Sequence, residues 1–193
     1  MGMRDIIINE ILIPALMLLY KVDYDNIRFG VAERNICARL AFHMENLMRE
    51  YDKVNKSDKF RYYYADVEYN RMGNGDKKQY ENSEHLPVYM VSDLLIQSRG
   101  ENPNFLAVEM KIKGRGTEEK MNRDRDRLEA LTSPEPVIRA LPCVYGTLVG
   151  AFIVISPQDV IVELYENRGG HGAKTDADLN FRYDETLREL VRI

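Results

Sequence analysis

The chain has 193 residues, of which 45% are apolar and 30% charged. That length and mix can bury a sizeable core and exclude a disordered or fibrous chain. The formal net charge of −4 neither demands nor forbids a nucleic-acid partner, because local patches matter more than the sum.

Ile6 to Tyr20 is apolar, but it carries Asn9 and Glu10 and is interrupted by Pro14. It is too short and too polar to span a bilayer. It has no basic leader followed by a small-residue cleavage site, so it does not read as a signal peptide. A buried N-terminal helix kinked near Pro14 is the expectation. Val31, Ile36, Leu40, Met44, Leu47 and Tyr51 then recur at helical spacing, with Arg34, Arg39, Glu45 and Arg49 off the stripe. This predicts a second helix over 31–51.

Phe60 to Tyr69 is rich in aromatics, and Asp66-Val67-Glu68-Tyr69 alternates as a strand does. Arg71 to Glu84 contains Gly73-Asn74-Gly75-Asp76 and predicts a loop. Val88 to Gln97 and Phe105 to Ile112 predict two strands joined by a turn at 98–103. Glu118 to Leu131 predicts a charged helix ending before Pro134. Tyr145 to Ile155 predicts a central strand, and Val160 to Tyr165 a further one. Asn167 to Asp178 reads as a glycine-rich loop, and Asp184 to Arg192 as a last short helix with Asp184 as its N-cap. The order predicts one α/β domain over 1–193, a mixed central sheet flanked by helices, with the terminal segments packed on a core over 31–155.

Three polar residues stand in apolar strand sequences. Asp93 interrupts Met90 to Ile96, and Glu109 and Lys111 interrupt Leu106 to Ile112. Glu109 and Lys111 are two residues apart, so they share a face. If the two strands pair through the turn, Asp93 falls within a few residues of register with Glu109. Charges in central strands are costly unless they are paired or hold an ion. Two carboxylates with water and a phosphate oxygen are what Mg²⁺ prefers, and a lysine beside them can orient the attacking water.

At these residues the sequence resembles the PD-(D/E)XK nuclease superfamily, with its restriction-endonuclease-like fold. The motif stands as Ser92-Asp93 and Glu109-Met110-Lys111, with about sixteen residues between the acids. Ser92 replaces a frequent proline at a position that carries no chemistry. Ala32-Glu33-Arg34 opens a helix, as a glutamate-bearing helix does in many members. Asp66 to Arg71 and Asp126-Arg127-Leu128 look like stretches in small uncharacterised bacterial members. The resemblance spans roughly residues 31–155. It implies a Mg²⁺- or Mn²⁺-dependent enzyme that hydrolyses phosphodiester bonds of nucleic acid, DNA ahead of RNA. Asp93, Glu109 and the main-chain carbonyl of Met110 would then hold the metal. Lys111 would act on the water, Glu33 would assist, and Glu68 and Arg71 would be accessory. The alternative is a non-catalytic nucleic-acid-binding or assembly module with the same fold.

Other polar residues have plainer readings. Glu33 suits the first turn of a helix in any protein, because the helix dipole favours an acid there. Glu68 and Arg71 could simply pair with each other. His43 reads as a packed residue and His85 as a loop residue. The Gly169-Gly170-His171-Gly172 run lacks the strand and lysine of a nucleotide-binding loop. Arg123, Arg125 and Arg127 alternate with acids, which suits a solvated helix face or a phosphate track. Cys37 and Cys143 have no metal-ligand spacing and read as free thiols in a reducing, cytoplasmic setting. No membrane partner is expected, and a homodimer stays open.

Overall fold

A computed structural model describes residues 1–68, 77, 79–81, 84, 86–89, 91–99, 102–134, 146–176 and 178–193. The N-terminal apolar segment is helical from its start: α1 (Met3–Ile6), a π-helical stretch (Ile7–Leu12) and α2 (Ile13–Val22). The expected kink takes the form of a widened turn ahead of Pro14. Pro14 has no N–H to give the carbonyl of Glu10, and its ring crowds that carbonyl. The backbone opens to a five-residue bond, Ile13 N–H to Ile8 O, and the helix continues. Ile7, Ile11, Leu12, Leu16 and Leu19 are fully buried, each stabilising by about 1.5–3 kcal/mol through lost water contact. Among the described residues no helix is long and apolar enough to cross a membrane.

A short α3 (Tyr24–Arg28) leads to α4 (Glu33–Asn55), which begins two residues later than its apolar stripe suggested. Lys56 closes α4 in the left-handed conformation, with φ of 50°. Among the described residues ten strands follow: β1 (Tyr64–Val67), β2 (Gln79–Glu81), β3 (Pro87–Tyr89), β4 (Leu94–Gln97), β5 (Leu106–Ile112), β6 (Val149–Ile155), β7 (Asp159–Arg168), β8 (His171–Lys174), β9 (Leu179–Asp184) and β10 (Glu189–Arg192). The helix α5 (Glu118–Thr132) lies between β5 and β6, with Thr117 capping its first turn.

The main sheet runs β1-β4-β5-β6-β7-β9-β10, with β8 added on β7. Among the described strands of this sheet, β5 and β6 are parallel, with α5 between them in the chain, and the other pairs are antiparallel. The expected mixed α/β sheet is therefore present. Helices cover both faces. Leu94, Ile96, Val108, Met110 and Ile153 pack toward α2 and α4, while Leu95, Ala107, Phe152 and Tyr165 pack against Leu128 and Leu131 of α5.

Three local expectations are corrected. The strand expected over 88–97 is two strands, β3 and β4, because Ser92 and Asp93 interrupt it. The loop expected over 167–178 is largely a hairpin: β7 continues to Arg168, turns at Gly169 and Gly170 with φ of 63° and 93°, and returns as β8. Gly172 lets β8 pass beneath α5, since a Cβ there would lie 1.8 Å from the Glu129 carbonyl. The helix expected over 184–192 is instead the turn and second strand of a hairpin. Asp184 caps that turn, accepting from the N–H groups of Thr186 and Leu187 at 2.8 and 2.9 Å. Glu189–Arg192 gain more from pairing with β9 than a two-turn helix gains alone. Arg71, 73–76, His85, Cys143 and Tyr145 lie outside the described residues.

Candidate active site

The site grows from the end of β5 where its partner strand stops. Lys113 donates its N–H to Ile155 of β6. N–H groups alternate along a strand, so Met110 and Ile112 turn theirs toward β4. But β4 ends at Leu94, paired with Val108. Two acids take its place. Asp93 Oδ2 accepts from Met110 N at 2.8 Å, and Glu33 Oε1 accepts from Ile112 N at 3.2 Å. Asp93 therefore lies one step past the last β4–β5 pair, across from Glu109 and on its face of the sheet.

Lys111 joins these acids. Its Nζ donates to Met110 O at 3.0 Å and lies 2.9 Å from Asp124 Oδ2, 3.9 Å from Asp93 Oδ2 and 4.0 Å from Glu33 Oε2. Glu109 is 1% exposed and accepts from Arg127 Nη1 at 2.7 Å. Arg127 Nη2 reaches Asp124 Oδ1 at 3.1 Å. The cluster thus holds four carboxylates against two cations, a formal charge of −2.

That excess shows in the proton affinities. Burial pushes the Glu109 carboxyl up to about 8; Asp93 and Asp124 add to the rise, and Arg127 opposes it. Burial raises the Asp93 carboxyl too, against the pull of the Met110 N–H and of Lys111. For Lys111, burial disfavours the ammonium, but Asp124, Asp93 and Glu33 outweigh it and hold the amine protonated. Behind the site, Cys37 is buried with its sulfur 3.7 Å from Met110 Sδ. Burial and the nearby acids raise its thiol well above the ordinary range, so it is a poor nucleophile.

Asp93, Glu109, Lys111, the Met110 carbonyl and Glu33 are thus brought together. Glu68 is a neighbour through its backbone, its N–H donating to Asp93 O at 3.2 Å. Its carboxylate turns to Arg34, 3.3 Å away at the surface. The pairing of Glu68 with Arg71 falls outside the described residues. His43 is packed, with Nε2 2.7 Å from Asp23 Oδ2. His171 is exposed at the start of β8.

Two members of the cluster were missed or misread in the sequence. Arg127 does not stand on a solvated face; it is largely buried against Glu109 and Asp124. Asp124 drew no attention within the charged run. The signal was present: Asp124 stands four residues before Leu128 and seven before Leu131, on the inward stripe of α5.

Comparison with protein-family models and with curated proteins finds no match. Among the described residues no group of three or more His, Cys, Asp or Glu side chains is arranged to hold a metal ion. Mg²⁺ does not require one. It binds through one or two carboxylates and keeps several waters. Asp93, Glu109 and the Met110 carbonyl are the oxygen donors that such an ion would take here.

Proposed function

We propose that this chain is a Mg²⁺- or Mn²⁺-dependent nuclease of the PD-(D/E)XK superfamily, with a restriction-endonuclease-like fold, hydrolysing phosphodiester bonds, DNA ahead of RNA. The observation that carries the reading is the convergence of Asp93, Glu109 and Lys111 at the open end of β5, where four carboxyl groups face two cations. Asp93, Glu109 and the Met110 carbonyl would hold the ion. A bound divalent ion would polarise the phosphate and favour hydroxide at neutral pH. The chain's own contribution is positional. Lys111, fixed as an ammonium, orients the attacking water and meets charge that grows on the phosphoryl oxygens. Glu33 braces the strand through Ile112 and sits near the Lys111 ammonium.

One observation favours a second reading, a non-catalytic nucleic-acid-binding or assembly module. Glu109 already has an internal cation, Arg127. Incubation with plasmid, single-stranded DNA and RNA, with Mn²⁺ and with chelator, separates the two. Cleavage that needs Mn²⁺ and disappears in Lys111→Ala, purified alongside, is the expected result. Equal cleavage by both preparations marks a contaminant and refutes catalysis by this chain.

A further inference from the structure

Each half of the Glu109-x-Lys111 motif has its own partner of opposite charge on α5. Arg127 meets Glu109 at 2.7 Å, and Asp124 meets Lys111 at 2.9 Å. The two partners also bond to each other at 3.1 Å, which makes a chain of alternating charge from Glu109 to Lys111. The order follows from the topology. Because β5 and β6 are parallel, the helix joining them must run back along β5. The earlier helix residue, Asp124, therefore meets the later strand residue, Lys111. Exchanging the two on α5 would set acid against acid and base against base. The spacings nearly match as well: two strand residues span about 6.6 Å and three helical residues about 4.5 Å. The long arginine side chain covers the difference. Its planar fork serves Glu109 and Asp124 at once, which a lysine cannot do.

We propose that Asp124 and Arg127 are positioning residues, Arg127 orienting Glu109 and Asp124 orienting Lys111. The proposal rests on the nuclease reading and names what fixes its two central groups. Neither residue needs to touch the substrate. Groups that hold metal ligands from behind set metal affinity, and groups that hold a catalytic cation set turnover. The two variants should therefore fail differently.

The test combines Mn²⁺ titration by calorimetry with cleavage kinetics on wild type, Arg127→Lys, Asp124→Asn and Asp124→Glu, each shown folded by circular dichroism. Arg127→Lys should weaken Mn²⁺ binding by about tenfold or more. Asp124→Asn should weaken Mn²⁺ binding less than Arg127→Lys does, while kcat falls by about 10–100-fold at constant KM. Asp124→Glu should recover part of kcat. If Arg127→Lys does not fold, Arg127→Gln, which keeps a polar end but loses the charge and part of the reach, takes its place. Wild-type Mn²⁺ affinity in the Arg127 variant, or wild-type kcat in Asp124→Asn, overturns the proposal. So does a loss of both properties that tracks the folded fraction, because that is the mark of a merely structural role. A wild type that binds Mn²⁺ yet cleaves nothing overturns the nuclease reading alone, and the titration still decides on Arg127. A wild type that binds no Mn²⁺ overturns both.

Discussion

Glu109 and Glu163 lie in one row of the sheet, on either side of Phe152. Each is paired with an arginine from α5: Arg127 with Glu109, and Arg125 with Glu163 at 3.0 and 3.1 Å. Their proton affinities nevertheless move in opposite directions. Around Glu163 burial raises the carboxyl, but Arg125, Lys174 and the Tyr165 hydroxyl together bring it below its ordinary value. Around Glu109 burial wins, because Asp93 and Asp124 offset the help of Arg127. One carboxylate has cations to spare and the other has acids to spare. An arginine partner is thus no guide to function by itself. The surplus of acid marks Glu109 as a place that an added cation would stabilise, while Glu163 is complete as it stands.

The sharpest way to break this contrast is kinetic. Lys111→Ala should lower metal-dependent kcat by about a hundredfold or more, the scale of losing one aimed stabilising group, with nucleic-acid affinity nearly unchanged. Arg125→Met, on the same helix, should leave kcat within about twofold of wild type. Steady-state kinetics on both variants checks the pair, and a large loss in Arg125→Met would show that the two glutamate–arginine pairs are not functionally distinct.

A thermodynamic test comes next in size. Mn²⁺ at about a hundred times its Kd adds about 2.7 kcal/mol to the folded state, which raises Tm by roughly 5–10 °C for a chain of this size. The shift should vanish in the Asp93→Ala, Glu109→Ala double variant and persist in Glu163→Ala. Differential scanning calorimetry reads it directly. An equal shift in all three proteins would place the cation elsewhere.

The two glutamates should also differ in pH dependence, with opposite signs. Glu109 rises from an ordinary 4.5 to about 8 on folding. Between those values the unfolded chain has released a proton that the folded chain keeps, so stability falls as pH rises through the window and is level above it. Glu109→Gln should remove that fall. Glu163 is lowered from 4.5 on folding. Its contribution is present above 4.5 and is lost as pH falls through the lower folded value. Glu163→Gln should remove only that acid-side loss. Urea unfolding from about pH 3 to 9 resolves the two limbs, and identical profiles for the two variants would refute the contrast.

Much of the site was legible because it breaks a pattern. Asp93, Glu109 and Lys111 stand out as charges in apolar strands, and the period of two puts Glu109 and Lys111 on one face. Glu33 could be named but not placed, since an acid in a first helical turn needs no further reason to be there. Asp124 and Arg127 were hidden by their neighbours. In a helix where nearly every residue is charged, composition cannot tell which charges turn inward. The C-terminal hairpin was misread for a related reason. Asp184 is a good N-cap and equally a good turn residue, and the choice between them was made by the free edge of β9.

The sequence alone determined the apolar helices, the central strands and the three charges that do not belong in them, because periodicity and burial cost are local properties. Only the tertiary structure decided which charges meet. It began β4 one residue after Asp93, so that Asp93 and Glu33 bond the backbone of β5 in place of a longer β4. It also laid α5 antiparallel to β5, so that Asp124 faces Lys111 and Arg127 faces Glu109. Both outcomes depend on strand register and crossover direction, which are set by packing across the whole sheet rather than by any one stretch of sequence.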